Sequence, residues 1–371
     1  MRNFAILGPG ARQEQVGGGR IHTVEMDGVP VRCAIVETAG PRFDRGDPAN
    51  ERKVLIRVKA FSLNYRDKNR IFTMNRHGAN MGFYAVGSDF AAEVLEIGPG
   101  VTQVAPGDRV VGDAAYPFSG DAAVPPGIPT NHGSKELQII SELKLARIPD
   151  EMTYRDASGF TVGAQTTYSM IRRLEIFEGA NVLVTAAKSN TSLFAIHALR
   201  NRNVNVYVTS GSTSFERDLK QMGVKEIAII DHSTPLAGHP ALAGAMPGGG
   251  MHFVIDPFWD LHFSRSLEVM AMSGKYISCG IYDQYLGLIG KPPLPPQHSG
   301  REFLLMLMKN LHVLGNCIGL REDLARALSD YQSGKFKVTI DSTYTSGQEG
   351  EFLDRTYNAR DRFGKVVYQY S

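Results

Sequence analysis

Apolar and polar positions along this chain fall into two regimes that meet near residue 150. Before it, short apolar runs are cut by glycine and proline at close spacing: Val31 to Val36, Val54-Leu55-Ile56-Arg57-Val58, Gly87 to Val94, Ile97-Gly98-Pro99-Gly100-Val101 and Pro106-Gly107-Asp108-Arg109-Val110. Such runs predict a procession of short strands and tight turns, the habit of a barrel-like β domain, with no helix among them. From Asp150 to Leu174 the pattern turns helical. After Gly179, apolar strand candidates at Val182 to Val184, Val204 to Val208, Ile227 to Ile230, Phe253 to Ile255, Tyr276 to Cys279 and His312 to Leu314 are separated by enough chain for helices. That alternation predicts a parallel, doubly wound α/β sheet. The tail from Leu320 predicts a helix, then strands near Lys337 to Ile340 and Val366 to Tyr368.

Three stretches stand outside this scheme. Residues 1 to 30 are Gly-rich and weakly patterned, with Gly17-Gly18-Gly19 as their clearest break, and predict a flexible lead-in. Asp113 to Asn131 carries four prolines and predicts an irregular loop. Pro292 to Pro296 predicts a rigid one.

The second half is organised around Gly179 to Thr213. Val182-Leu183-Val184, the small residues Ala187, Ser189 and Ser192, and the helix-period Leu193, Ile196 and Leu199 read as strand, turn and helix, with Val204, Val206 and Val208 closing a β-α-β unit. A unit of this size suits a dinucleotide, whose pyrophosphate the free N–H groups of the first helical turn attract. The turn has no glycine, although close approach of backbone to phosphate ordinarily calls for one. Ala187, Lys188, Ser189, Asn190, Thr191 and Ser192 are the residues that would face the phosphates, and a ligand-free strand-helix unit is equally compatible with them.

Composition narrows the classes. The 371 residues suffice for two domains, and 43% hydrophobic with 21% charged residues is ordinary for a soluble globular protein. A formal charge of +2, with lysine and arginine scattered, gives no electrostatic case for nucleic acid or an anionic membrane. Cys33, Cys279 and Cys317 are too few and too far apart for a disulfide framework or a closed zinc site, so a cytoplasmic location is expected. Neither a secretory signal nor a membrane span is expected.

The order of motifs resembles the medium-chain dehydrogenase/reductase superfamily. The matching pieces are Asn64-Tyr65-Arg66-Asp67, Gly87-Ser88-Asp89, Ile97 to Val101, Gly107 to Val110, the Gly179 to Val184 strand, Gly274-Lys275 before Gly280, and Gly364-Lys365-Val366-Val367. The resemblance implies a GroES-like β-barrel catalytic domain made from residues 31–170 and 315–371, with a Rossmann cofactor-binding domain at 171–314. It also tips the β-α-β unit towards a bound nucleotide. Where zinc-dependent members carry ligands this chain has Asn64 and Ser88-Asp89, and no cysteine lies in Gly159 to Thr167. Catalytic zinc needs three protein ligands, so the chain looks like the zinc-free branch of quinone oxidoreductases and enoyl reductases, with no metal expected. It is faintly similar also to the dehydroalanine reductases of lanthipeptide pathways.

Without a Lewis acid, a polarised C=C bond is an easier target than a plain ketone, because charge left by hydride addition spreads into an enolate that hydrogen-bond donors stabilise. The resemblance sets Asn64 and Tyr65 near nicotinamide and substrate and Thr166 beside the ring. Tyr65 is the candidate donor to the substrate carbonyl or carbon, against a core aromatic at a strand end; Asn64 otherwise holds a turn. Asp67 reads as a cap or ion-pair partner and Asp89 as a structural residue. His132 is a second candidate donor, against a solvated histidine. The resemblance also assigns Gly280, Asn316 and Lys365 to the cofactor cleft.

The second strand ends in Thr209-Ser210-Gly211-Ser212-Thr213 without the acid that ribose hydroxyls of NAD usually meet. Ser210, Ser212 and Arg217 are therefore expected to take a 2′-phosphate, which makes NADPH the expected cofactor. Three functions stay open: reduction of a small enone or quinone, a tailoring reduction of a carrier-bound enoyl group or a dehydroalanine peptide, and a non-catalytic member without nucleotide. Partners are accordingly a small-molecule, carrier-bound or peptide substrate, with a homodimer expected by analogy.

Overall fold

In the computed structural model, which describes all residues except 12–15, 17–18, 78–81, 232, 293–298 and 371, the apolar runs of the second half become one six-stranded parallel sheet. From edge to edge its order is Val224–Ile229, Asn205–Ser210, Asn181–Val184, Met251–Asp256, Met270–Ser278 and His312–Gly315. All four residues of Asn181–Val184 are buried, as a central parallel strand must be when both faces are covered. Val182, Val184, Leu193 and Ile196 fill the core on one face; Leu183, Tyr207, Leu267 and Tyr276 fill it on the other. The strand order reverses beside Asn181–Val184. In open α/β sheets, ligands enter the crevice at the carboxyl ends of the strands at such a reversal.

The other lobe is built from both ends of the chain. Its seven-stranded sheet runs Ile340–Tyr344, Lys365–Gln369, Lys53–Ser62, Asp89–Ile97, Arg109–Gly112 and Leu145–Arg147, with Leu137–Ser141 also paired to Lys53–Ser62. The pairing forms a path rather than a closed ring. Gly98 turns the chain where a Cβ would meet the Asn50 carbonyl oxygen at 1.8 Å, so only glycine passes there. Asp113 to Asn131 holds no helix or strand, as its prolines predict.

The flexible lead-in over residues 1–30 is corrected by this lobe. Arg2–Leu7 pairs antiparallel with Val29–Glu37, which also pairs with His22–Met26, in a four-stranded sheet completed by Phe83–Ala85. Phe4 is fully buried, its ring centroid 5.4 Å from that of Phe352 and 5.6 Å from that of Phe61. Arg2–Leu7 is buried on both faces and so lacks the alternation that reveals a half-exposed strand. Gly17 and Gly18 lie outside the described residues, as do residues 293–296 of the proline loop.

A 13-residue helix, Tyr65–His77, stands where only strands were expected. Its inward face carries Asp67 and Lys68 besides Ile71 and Phe72, so its apolar stripe is broken by two buried charges and the 3.6-residue period is masked. Asp67 caps its start, accepting the Asn64 N–H at 2.7 Å. A further unexpected helix, Glu349–Tyr357, separates the last two strands. Among the described residues, no helix is long and apolar enough to cross a membrane.

Candidate active site

A cleft of about 670 Å³ runs between the lobes at the carboxyl ends of Asn181–Val184 and Asn205–Ser210. Of the candidates, Asn64, Tyr65, Thr166, Ala187, Lys188, Ser189, Asn190, Thr191, Ser210, Gly280 and Asn316 line it; His132, Ser192, Ser212, Arg217 and Lys365 do not. Past Gly280 and Cys317 a second cavity of about 760 Å³ continues towards Tyr116, Arg172 and Arg173.

The nucleotide end is shaped by its own hydrogen bonds. Ala186 takes the left-handed conformation with φ 49°, doing with an alanine what glycine does more freely. Thr209 fixes the turn: its hydroxyl accepts the Ala186 N–H at 2.9 Å and its carbonyl the Ala187 N–H at 2.8 Å. Ser192 is fully buried and donates to the Thr185 carbonyl at 2.6 Å, so its role is to lock the turn rather than to meet a ligand. Helix Asn190–Leu199 then begins, and the N–H groups of its first turn have no acceptor within the helix.

Two cations stand at this end. Lys188 Nζ donates to Ser212 Oγ and to the Arg360 carbonyl, both at 3.1 Å. Arg362, unforeseen from sequence, lines the cleft with Nη1 3.2 Å from the Asn190 amide oxygen and 2.7 Å from the Gly364 carbonyl. Burial holds both groups below their ordinary ranges; repulsion from Arg362 lowers Lys188 further against the pull of Asp361, and Arg355 lowers Arg362 against that of Asp341. Such a pair fits an anionic ligand, and the loop, helix start and cations together fit the phosphates of a dinucleotide. Arg217 is corrected: it is exposed on the short helix Glu216–Gln221, away from the cleft, and Lys188 is the cation that reaches the end of Asn205–Ser210.

Lys365 is corrected too. Its ammonium is buried behind the cleft, donating to Asn64 Oδ1 at 2.7 Å, Asp89 Oδ2 at 3.0 Å and Ser62 Oγ at 3.2 Å. Three donors meet three acceptors. Asp89 in turn accepts the Val162 N–H and the Asn64 amide, each at 2.8 Å. Asn64 is therefore spent on this cluster, with its carbonyl accepting from Tyr357 Oη at 3.0 Å. These residues do not fit a divalent ion, which would have to enter beside an ammonium and take Asp89 from it.

Tyr65 lines the cleft from the first turn of Tyr65–His77. Its ring stacks on Tyr282 at 5.8 Å and 23° and meets Phe258 edge-on at 5.3 Å, while its hydroxyl donates to the Tyr282 carbonyl at 2.8 Å. Burial first, then the neighbouring Tyr285 and Tyr282, raise its pKa, so the phenol is neutral at physiological pH and able to donate. Gly280 opens the opposite wall: a Cβ there would sit 2.6 Å from the Pro257 carbonyl oxygen. Asn316 is held in place, accepting from Ser169 Oγ and Arg173 Nη1 at 3.0 Å and donating to the Ile318 carbonyl at 2.8 Å. Burial raises the Cys279 thiol to about 12 and raises Cys317 as well, which leaves no reactive thiolate in the cleft. His132 is corrected as a donor: it stands outside the cleft with Nδ1 3.0 Å from the Ala85 carbonyl, its pKa lowered by burial.

Residues 50–150 match the family model described as the alcohol dehydrogenase GroES-like domain. Over the whole chain, an NAD-dependent alcohol dehydrogenase structure superposes with a TM-score of 0.76 at 22% identity, covering 100% of each chain. The quinone oxidoreductase from Coxiella burnetii gives 0.67 at 19%, covering 100% of this chain and 99% of the other. A GroES-like lobe joined to a six-stranded parallel sheet is the two-lobed arrangement that this chain shares with those structures. Residues 50–150 thus form a GroES-like domain, and the likeness of the whole chain to these structures is one of fold. Among curated relatives, the acryloyl-coenzyme A reductase of Metallosphaera sedula is 24% identical, covering 85% of this chain and 91% of the relative. A mycocerosic acid synthase-like polyketide synthase of Mycobacterium tuberculosis is 24% identical over 88% of this chain. The chain spans only 4%, 14% and 6% of the lengths of three such polyketide synthases.

Proposed function

We propose that this protein is an NADPH-dependent reductase of a C=C bond conjugated to a carbonyl, acting without a metal on an enoyl or dehydroalanine group. The observation that carries this reading is the neutral, half-buried Tyr65 phenol on the same cleft as the phosphate-suited helix start at Asn190. Similarity to an acryloyl-coenzyme A reductase and to polyketide synthases supports it.

Arg362 and the first-turn N–H groups of Asn190 and Thr191 would hold the dinucleotide's pyrophosphate, with Ser210 and Lys188, steadied by Ser212, beside a 2′-phosphate and Thr166 and Gly280 by the nicotinamide. When bound, the reduced nicotinamide supplies the hydride. Tyr65 stabilises the enolate left on the substrate and delivers the proton to its α carbon. Phe258, Ile281 and Ile318 give this half of the cleft an apolar lining. The Lys365–Asp89–Asn64 cluster fixes the backbone from which Tyr65 projects, in the place where other members spend residues on an ion. The cavity beyond Gly280 gives room for a substrate longer than a simple enone.

Single-turnover NADPH oxidation against an enoyl thioester, a dehydroalanine peptide and a quinone tests the reading. The expected result is oxidation by one of the first two, with a Tyr65→Phe loss in kcat of roughly 10²- to 10⁴-fold and unchanged cofactor affinity. Oxidation by the quinone alone, or no fluorescence response to NADPH, would refute it. We also infer a homodimer: helix Ser299–Lys309 exposes Phe303, Leu304, Leu307 and Met308 beside the edge strand His312–Gly315. Sedimentation of the Leu307→Asp variant as a monomer, against a dimeric parent, is the expected outcome.

A further inference from the structure

Behind Tyr65 lies a second polar cluster that the hydride-accepting half of the cleft does not use. Asp27 and Gly28 form the two-residue turn between His22–Met26 and Val29–Glu37, both with positive φ, at 52° and 85°. This Asp-Gly turn sets the Asp27 carboxylate 2.6 Å from Lys68 Nζ. Lys68 sits one helical turn after Tyr65, on the same side of Tyr65–His77, and also lines the cleft. Its ammonium donates to Tyr285 Oη at 3.1 Å and lies 4.7 Å from that ring's centroid. Tyr285 is only 2% exposed; its ring centroid lies 5.6 Å from that of Tyr65, and its hydroxyl is near enough to the Tyr65 hydroxyl and the Asp27 carboxylate for each to shift the others' proton affinity. The far end is open: the Asp27 side chain is 28% exposed, whereas that of Lys68 is 6% exposed.

We propose that Asp27, Lys68 and Tyr285 form a proton line that recharges Tyr65 after each turnover. The proposal rests on the reading of Tyr65 as the donor to the substrate's α carbon. The electron pair of the hydride and the proton of Tyr65 together saturate the C=C bond, leaving tyrosinate at Tyr65. Tyr285 passes its hydroxyl proton to that oxygen and takes one from the Lys68 ammonium. Lys68, left as a neutral amine, recovers its proton from water at the exposed edge of Asp27. One proton enters from solvent for each one delivered to carbon, and no other reactant is needed.

The environment suits a group that must both give and regain a proton. Burial lowers the Lys68 pKa, Asp27 partly restores it, and Lys291 lowers it again; the Tyr285 and Tyr357 rings pack against the same ammonium. The sign follows: the line is charged while Lys68 is protonated and fails as pH rises through its depressed pKa. Reduction should therefore fall on the alkaline side, below the pH at which an ordinary lysine titrates.

Two measurements test this. In protein labelled with [¹³Cζ]tyrosine and free of substrate, the Tyr65 and Tyr285 signals should step together as Lys68 loses its proton, and the step should vanish in Lys68→Met and move to lower pH in Asp27→Asn. In turnover, Lys68→Arg, whose guanidinium keeps its proton and cannot pass it on, should be slow and without the alkaline fall, and the rate should drop in Tyr285→Phe as well. A purely structural Lys68 would leave that fall in place in Lys68→Arg. Tyrosine signals blind to the Lys68 titration, or an alkaline fall retained in both Lys68 variants, would overturn the proposal. Should the parent protein reduce no conjugated alkene, the reductase reading fails while the labelled titration still decides whether the four groups share a proton.

Discussion

Two buried lysines stand within a few residues of Tyr65, and they do opposite things. Lys365, with a side chain 1% exposed, gives its three N–H bonds to Asn64, Asp89 and Ser62, all within one lobe. Lys68 is nearly as buried, yet it borders the cleft, bridges a turn of one lobe to Tyr285 of the other, and has a carboxylate partner that reaches solvent. A buried charge with every donor satisfied by fixed acceptors holds structure; one whose partners lead both to a reacting group and to water can move a proton. Burial alone does not separate the two.

The comparison breaks most sharply in stability. Lys365→Met leaves Asp89 charged, buried and without its cation, so urea unfolding should show a loss of about 3–5 kcal/mol. A loss under 1 kcal/mol, on the order of a surface pair, would mean that the cluster is not the brace described here.

A third buried base sharpens the contrast because it has no carboxylate at all. His197 faces the Thr339 hydroxyl at 3.1 Å, and burial pushes its pKa down to about 4. In that case the unfolded chain binds the proton first as pH falls, so stability is full above the ordinary histidine range and is lost between there and about pH 4. The expected loss is about 3 kcal/mol, absent in a folded His197→Gln variant. Unfolding midpoints unchanged across that window would contradict it.

The remaining effects are smaller. Lys188→Ala should weaken NADPH binding by roughly tenfold or more and leave NADH binding nearly unchanged, because only the phosphorylated ribose meets a charge there. Equal weakening of both would move Lys188 to the pyrophosphate instead. Lys68→Met, whose partner Asp27 can turn to solvent, should cost only about 1 kcal/mol in unfolding. A cost as large as that of Lys365→Met would erase the distinction between the two sites.

Much of this architecture was readable in the residues, and the failures have physical causes. The strands of the six-stranded sheet show themselves because both faces are buried and the apolar runs are continuous, as at Val182 to Val184. Tyr65 and the loop from Ala187 to Thr191 stand in local motifs, and the structure brings both to one cleft. Asp27-Gly28 is a turn signal too, yet nothing near it tells that the carboxylate meets a lysine 41 positions on, or that Lys68 meets a tyrosine 217 positions on. Arg362 reaches Asn190 across 172 positions, for which short-range pattern has no sign. Arg217 follows the second strand closely enough in sequence to suggest a 2′-phosphate partner; helix geometry turns it outward, while Lys188 folds back across the strand end.

The most direct test follows the deuterium. Protein treated with a chelator and given NADPH deuterated at the transferable position should reduce a conjugated alkene in a single turnover, with the label at the β carbon and a solvent proton at the α carbon. Label absent from the product, or turnover that appears only when zinc is restored, would contradict the account.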